Sequence, residues 1–203
     1  MAKRAAGDPI WQRTDIMRRS FFPKFTDPVL TGRAKLIVVT SLGVMLAAWA
    51  LVVTWLISGD LEDITVVAAV IFSAVMLGLM TLARSGRVNL AAWLLTGLLC
   101  VLILADTADY GLGSPAIVSF GVPIVLAACT LGLAASVGVA VFGSGVIWLI
   151  AIALSSGWYQ SSGPFQIDHL TFNAPVLTVI FLLIASIVGW WSRYITSALN
   201  SQH

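Results

Sequence analysis

Residues 64–105 read ITVVAAVIFSAVMLGLMTLARSGRVNLAAWLLTGLLCVLILA, two apolar runs joined by Arg84-Ser85-Gly86-Arg87. Each run has the length of a membrane crossing, about 17–25 residues. A four-residue connection can only fold them back on one another, and its two arginines hold the turn on the side where basic segments are retained during insertion. This stretch decides the fold class: an all-α, polytopic integral membrane protein.

Outward from it, spanning-length apolar stretches recur at Leu36–Ser58, Ile64–Ala83, Val88–Ala105, Pro115–Gly132, Ala134–Leu154 and Asn173–Ser192, predicting a bundle of six transmembrane helices. All 11 Lys and Arg residues fall on one side: Lys3, Arg4, Arg13, Arg18, Arg19, Lys24, Arg33, Lys35, Arg84, Arg87 and Arg193. The opposite segments hold no base and six of the nine acids, Asp60, Glu62, Asp63, Asp106, Asp109 and Asp168. That partition places both termini in the cytoplasm. Five or seven crossings would put Arg193 among the acids. The expected organisation is a basic, cytoplasmic segment over 1–35, the six-helix domain over 36–194 and a short cytoplasmic tail over 195–203. The fourth and fifth spans are barely separated around Leu131–Ser136, with no charge at the turn, and one long re-entrant segment is the alternative there.

Composition agrees. Apolar residues make up 59% of the 203-residue chain and charged ones 10%, against about a quarter charged in soluble domains. Mean hydropathy is +0.98. The lipid bilayer is therefore the first partner. Nucleic acid is not expected as one, because the bases are already accounted for by topology. Residues 1–35 are polar and broken by Pro9, Pro23 and Pro28, so no cleavable signal is expected and the first apolar run reads as a retained anchor. Within that segment, residues 9–22 predict a short interfacial helix. Ile10, Met17 and Phe21 share one face, with Arg13, Arg18 and Arg19 available to anionic headgroups. Cys100 and Cys129 both lie in apolar runs, at depths differing by roughly 10 Å, too far apart for a disulfide. Trp55, Tyr110, Trp158, Tyr159 and, at the last inner end, Trp190, Trp191 and Tyr194 suit the headgroup level. Trp49 and Trp148 lie deeper and are expected to pack between helices.

No ionisable side chain other than cysteine lies within a proposed span. Such groups mark proton relays and ion paths, so a proton-coupled transporter, a pump or a channel with a charged ring is not expected. Gly121 and Pro123 interrupt the fourth span without a counterpart elsewhere and read as a kink accommodated by neighbours. Gly143-Ser144-Gly145 invites comparison with an intramembrane serine protease, but His169 and His203 both lie outside the spans, leaving Ser144 without a base. Asp168-His169 and the outer acids lack close metal-ligand spacing. The expectation is a protein that is not an enzyme and holds no metal, with no cofactor assigned. A pigment, quinone or lipid, if bound, would use apolar grooves and Trp faces. Gly132, Ser136, Ala140 and Ser144 recur every four residues and form a smooth stripe suited to close helix contact in lipid. This stripe and Trp190-Trp191 are the expected packing or partner surfaces, the partners being other membrane or membrane-associated proteins.

Phe22-Pro23, the Arg33-Ala34 pair entering the first helix, the basic turn Arg84–Arg87, and Gly111-Leu112-Gly113-Ser114-Pro115 opening the fourth span, followed by Leu131-Gly132, form a pattern. In these features residues 20–199 resemble the six-helix N-terminal membrane region of certain bacterial sensor histidine kinases. The resemblance implies a sensory module in the bacterial inner membrane. In that family the sixth helix continues into a coiled coil and then PAS or kinase domains. The residues given after Arg193 hold no phosphoacceptor helix and no ATP-binding Gly-rich segment, so kinase activity is not carried over. Two functions follow as expectations. One is a sensor-type module that responds to a lipophilic ligand or membrane state and signals through a separate partner. The other is an accessory subunit of a larger, possibly energy-converting, membrane complex.

Overall fold

The computed structural model describes residues 25–59, 63–110, 114–158 and 174–200. The interfacial helix with Arg13, Arg18 and Arg19, and the Asp168-His169 pair, lie outside the described residues. The chain divides into two compact units, Met1–Val88 and Asn89–His203, and all regular structure among the described residues is helical.

The first unit is a helical hairpin of α1 (Pro28–Ser58) and α2 (Asp63–Arg84). The expected start of the first helix at Leu36 is corrected: α1 begins at Pro28 and includes Arg33 and Lys35. Proline breaks a helix in its interior, but at the first helical position its missing N–H would have no partner anyway. Asp27 caps the end, its carboxylate accepting the Val29 N–H at 2.8 Å. The Thr31 hydroxyl secures the approach, accepting the Phe25 N–H at 3.0 Å. Across the hairpin, the indole N–H of Trp49 donates to the Ser73 hydroxyl at 2.9 Å. Ser73 in turn donates to the Ala69 carbonyl at 2.8 Å.

The second unit contains α3 (Val88–Tyr110, its first residue closing the first unit), a 3-10 segment (Pro115–Phe120), α4 (Gly121–Thr130), α5 (Leu133–Ser155) and α6 (Ala174–Asn200). α3 continues beyond the expected Ala105, so Asp106 and Asp109 are helical residues and not loop ones. Ser114 donates its hydroxyl hydrogen to the Asp106 carboxylate and accepts the Ala116 N–H at 3.0 Å, capping the 3-10 segment. The Ser-Pro element singled out in the sequence is thus a cap followed by a proline at the first helical position.

The fourth apolar stretch is not one α-helix. It changes from 3-10 to α geometry at Phe120–Gly121, and Pro123 then falls in the first turn of α4, where N–H groups have no intrahelical acceptor. α4 and α5 are separate helices. The Leu131 and Gly132 N–H groups both donate to the Ala127 carbonyl, at 2.8 and 2.9 Å, and the chain turns at Gly132 with φ 98° and ψ −178°. That conformation is essentially glycine's alone. Gly132 was expected within the helical stripe. It is instead the turn residue before α5, and no atom lies within 4 Å of where a Cβ would stand. α6 likewise outruns its expected end at Ser192, continuing to Asn200 through residues that contain neither proline nor glycine after Gly189.

Among the described residues, five helices are long and apolar enough to cross a membrane; the stretch Ala116–Thr130 is apolar but shorter. α4, α5 and α6 pack on one another, with α5 against α6 the most extensive of these contacts.

Candidate functional site

The core of the second unit is organised by Phe120, the last residue of the 3-10 segment. Its side chain is fully buried, with its ring centroid 5.7 Å from that of Phe181 on α6 and the planes inclined at 51°. This tilted arrangement suits the ring quadrupoles. Gly143 of α5 lies against the same ring: a Cβ there would stand 3.1 Å from a Phe120 carbon. Ile117, Ile124, Ala140, Ile147 and Ala185 belong to the same cluster.

Of the stripe residues, Ser136, Ala140 and Ser144 are buried on α5. Ser136 returns its hydroxyl to the Leu133 carbonyl at 2.9 Å, whereas the Ser144 hydroxyl is buried without a partner. The stripe pattern missed two glycines of closer approach. Gly143 faces Phe120, and Gly189 of α6 faces Leu133, where a Cβ would overlap Leu133 Cδ1. The spacing of small residues was a usable signal for this helix, but not for which of its glycines meets a neighbour. Deeper along the pair, the Trp148 indole donates to the Thr178 hydroxyl at 3.2 Å, and Thr178 donates to the Ala174 carbonyl at 2.8 Å. Trp148 therefore ties α5 to α6 by a polar bond inside an otherwise apolar contact. Trp190 and Trp191 stand well exposed on α6.

A groove of about 420 Å³ opens between α3 and α5, lined on one side by Trp93, Thr96, Gly97 and Cys100 and on the other by Gly138 and Phe142, among others. Sequence reading passed over it. Its α3 wall, from Trp93 through Thr96, Gly97 and Cys100 to Leu104, keeps the spacing of one helix face, but in a helix that is apolar on every side no polarity marks that face. Among the described residues no group of three or more His, Cys, Asp or Glu side chains is placed to hold a metal. The groove is lined by apolar side chains together with one thiol, one hydroxyl and the Trp93 indole. Comparisons of the chain with protein-family models, curated proteins and solved structures give no match.

Proposed function

We propose that this chain is a non-catalytic six-helix membrane module of the sensor type, seated in a bacterial inner membrane and acting through a separate partner protein. The observation that carries the reading is the length of α6. Its 27 residues extend about 40 Å, against a hydrocarbon layer of about 30 Å. A helix that leaves the bilayer unbroken transmits rotation or displacement of the bundle to whatever docks on its end. The family resembled in sequence uses its sixth helix in that way.

The six-crossing topology counts the 3-10 segment and α4 as one crossing. Six residues at about 2.0 Å and ten at about 1.5 Å give about 27 Å from Pro115 to Thr130, close to the hydrocarbon thickness. With that crossing included, Arg33, Lys35, Arg84, Arg87 and Arg193 share the cytoplasmic side. A periplasm-dependent reporter fused after Asp109 is expected to be active, and the same reporter after Arg87 or after His203 silent. Activity at Arg87 would overturn the orientation.

The functional reading is tested by mild-detergent purification of the full chain, with mass spectrometry of what co-elutes. Stoichiometric recovery with a soluble kinase or another signalling output protein is the expected result. Recovery with redox or photosynthetic subunits would replace the sensor by the accessory-subunit reading, and a solitary monodisperse protein would reject both.

A further inference from the structure

We propose that the Arg84–Arg87 end of the α1–α2 hairpin binds the phosphate of an anionic phospholipid through Arg33, Lys35 and Arg87. This holds whether or not the chain is a sensor.

The level of these bases is fixed by a hydrogen bond far from them. The Trp49 indole and the Ser73 hydroxyl meet at 2.9 Å and tie α1 to α2. Counted from that tie at about 1.5 Å per residue, Arg33 and Lys35 lie about 24 and 21 Å away along α1, and Arg84 about 17 Å away along α2. Arg87 follows just past the helix end. At the same end the Phe25 ring lies 3.8 Å from where a Gly86 Cβ would stand, so the chain entering α1 folds against the turn. The bases therefore occupy one layer about 8 Å deep, the depth of a single headgroup region at about 5–8 Å. In the other direction, Lys35 to Ser58 and Arg84 to Asp63 measure about 35 and 32 Å, close to a hydrocarbon layer of about 30 Å. When its apolar length fills that layer, the hairpin sets its bases among the phosphates of one leaflet.

Charge selects the lipid. Lys35 and Arg87 are exposed and Arg33 is half-buried, and among the described residues none of the three makes a side-chain hydrogen bond or ion pair. Asp27, the described acid nearest to Arg33 along the chain, is engaged with the Val29 N–H at 2.8 Å. Asp63 stands at the opposite end of the hairpin. A base close to a membrane surface favours anionic lipid by about fivefold. A zwitterionic phospholipid carries its own cation beside its phosphate and gains little from three further positive charges. Phosphatidylglycerol has no such counter-charge, and arginine meets phosphate oxygens with a planar fork of donors. Depth decides against a soluble anionic protein, which would reach the bases only by displacing the headgroups around them.

The test uses the purified full chain, delipidated in dodecyl maltoside, with equal amounts of phosphatidylglycerol and phosphatidylcholine added and the retained lipid counted by native mass spectrometry. In detergent the direction of insertion no longer matters, so removing these bases reports on lipid binding alone. Wild type is expected to retain phosphatidylglycerol at least about fivefold over phosphatidylcholine. Arg87→Gln is expected to lower that preference severalfold and the triple variant Arg33→Gln, Lys35→Gln, Arg87→Gln to abolish it. Arg33→Lys with Arg87→Lys keeps the charge and most of the preference. Arg193→Gln, in the other helical unit, is expected to leave it unchanged. Helical circular dichroism checks that each variant is folded. Wild type gives a second measurement: raising the salt from about 0.1 to about 1 M cuts the screening length from about 10 to 3 Å and is expected to erode the preference. Equal retention of the two lipids, an unchanged preference in the triple variant or at high salt, or an equal loss in Arg193→Gln would overturn the site. Displacement of the lipid by an equal concentration of glycerol 3-phosphate would show that the anion alone is held, and would overturn the lipid assignment.

Discussion

Phe120→Ala is expected to destabilise the second helical unit by about 3 kcal/mol, the lower end of the range for removing a buried aromatic ring. The low end applies because lipid, not water, surrounds the separated helices, so the lost term is packing and not hydrophobic transfer. Phe120 is fully buried, packs against Phe181 with tilted rings and fills the space left by the missing side chain of Gly143. No single neighbouring element can close the void, since the ring sits where the 3-10 segment, α5 and α6 meet. Reversible unfolding in mixed detergent–SDS micelles, followed by circular dichroism, measures the effect. Val118→Ala, two residues away and 71% exposed, serves as the control and is expected to stay within about 0.5 kcal/mol of wild type. A Phe120→Ala cost equal to that of the control would remove Phe120 from the centre of the core.

Gly189→Leu is expected to be comparably severe, about 3 kcal/mol, the upper part of the usual range for overpacking. Any Cβ at Gly189 overlaps Leu133 Cδ1 and stands 3.3 Å from its Cβ and Cγ. The end of the leucine can swing, so Gly189→Ala is expected to cost only about 1 kcal/mol. A leucine there needs the backbones of α5 and α6 to separate, and this is the most extensive helix contact of the unit. The same unfolding assay with Leu133→Ala in both backgrounds forms a double-mutant cycle, with an expected coupling of about 1 kcal/mol or more. Additive effects in that cycle would show that α5 and α6 do not meet at these residues.

Some of this was legible in the chain itself. The break between two spanning runs at Arg84–Arg87 is also a break between helices, and Gly86 takes a positive φ of 90° there. Trp49 and Trp148, placed deep by position alone, do join helices, and each finds a hydroxyl on the neighbouring one. Helix ends were less legible. Pro28 reads as a breaker until Asp27 is seen capping it, and Asp106 reads as a loop acid until Ser114 is seen bonded to it. In each case the deciding group is a partner that composition does not reveal.

The sequence by itself determined the class of protein, the approximate position of each apolar stretch and the separation of charge along the chain. These depend on residue type and spacing, and lipid reads both directly. Only the tertiary structure decided that the fourth stretch breaks at Phe120–Gly121, that Gly132 turns the chain while Gly143 and Gly189 admit their neighbours, and that α3 and α5 leave a groove between them. In water a helix shows its buried face by polarity, because its other face must be polar. In a bilayer the lipid side and the packed side are both apolar, so helices choose their contacts by shape, and shape exists only once the helices have met.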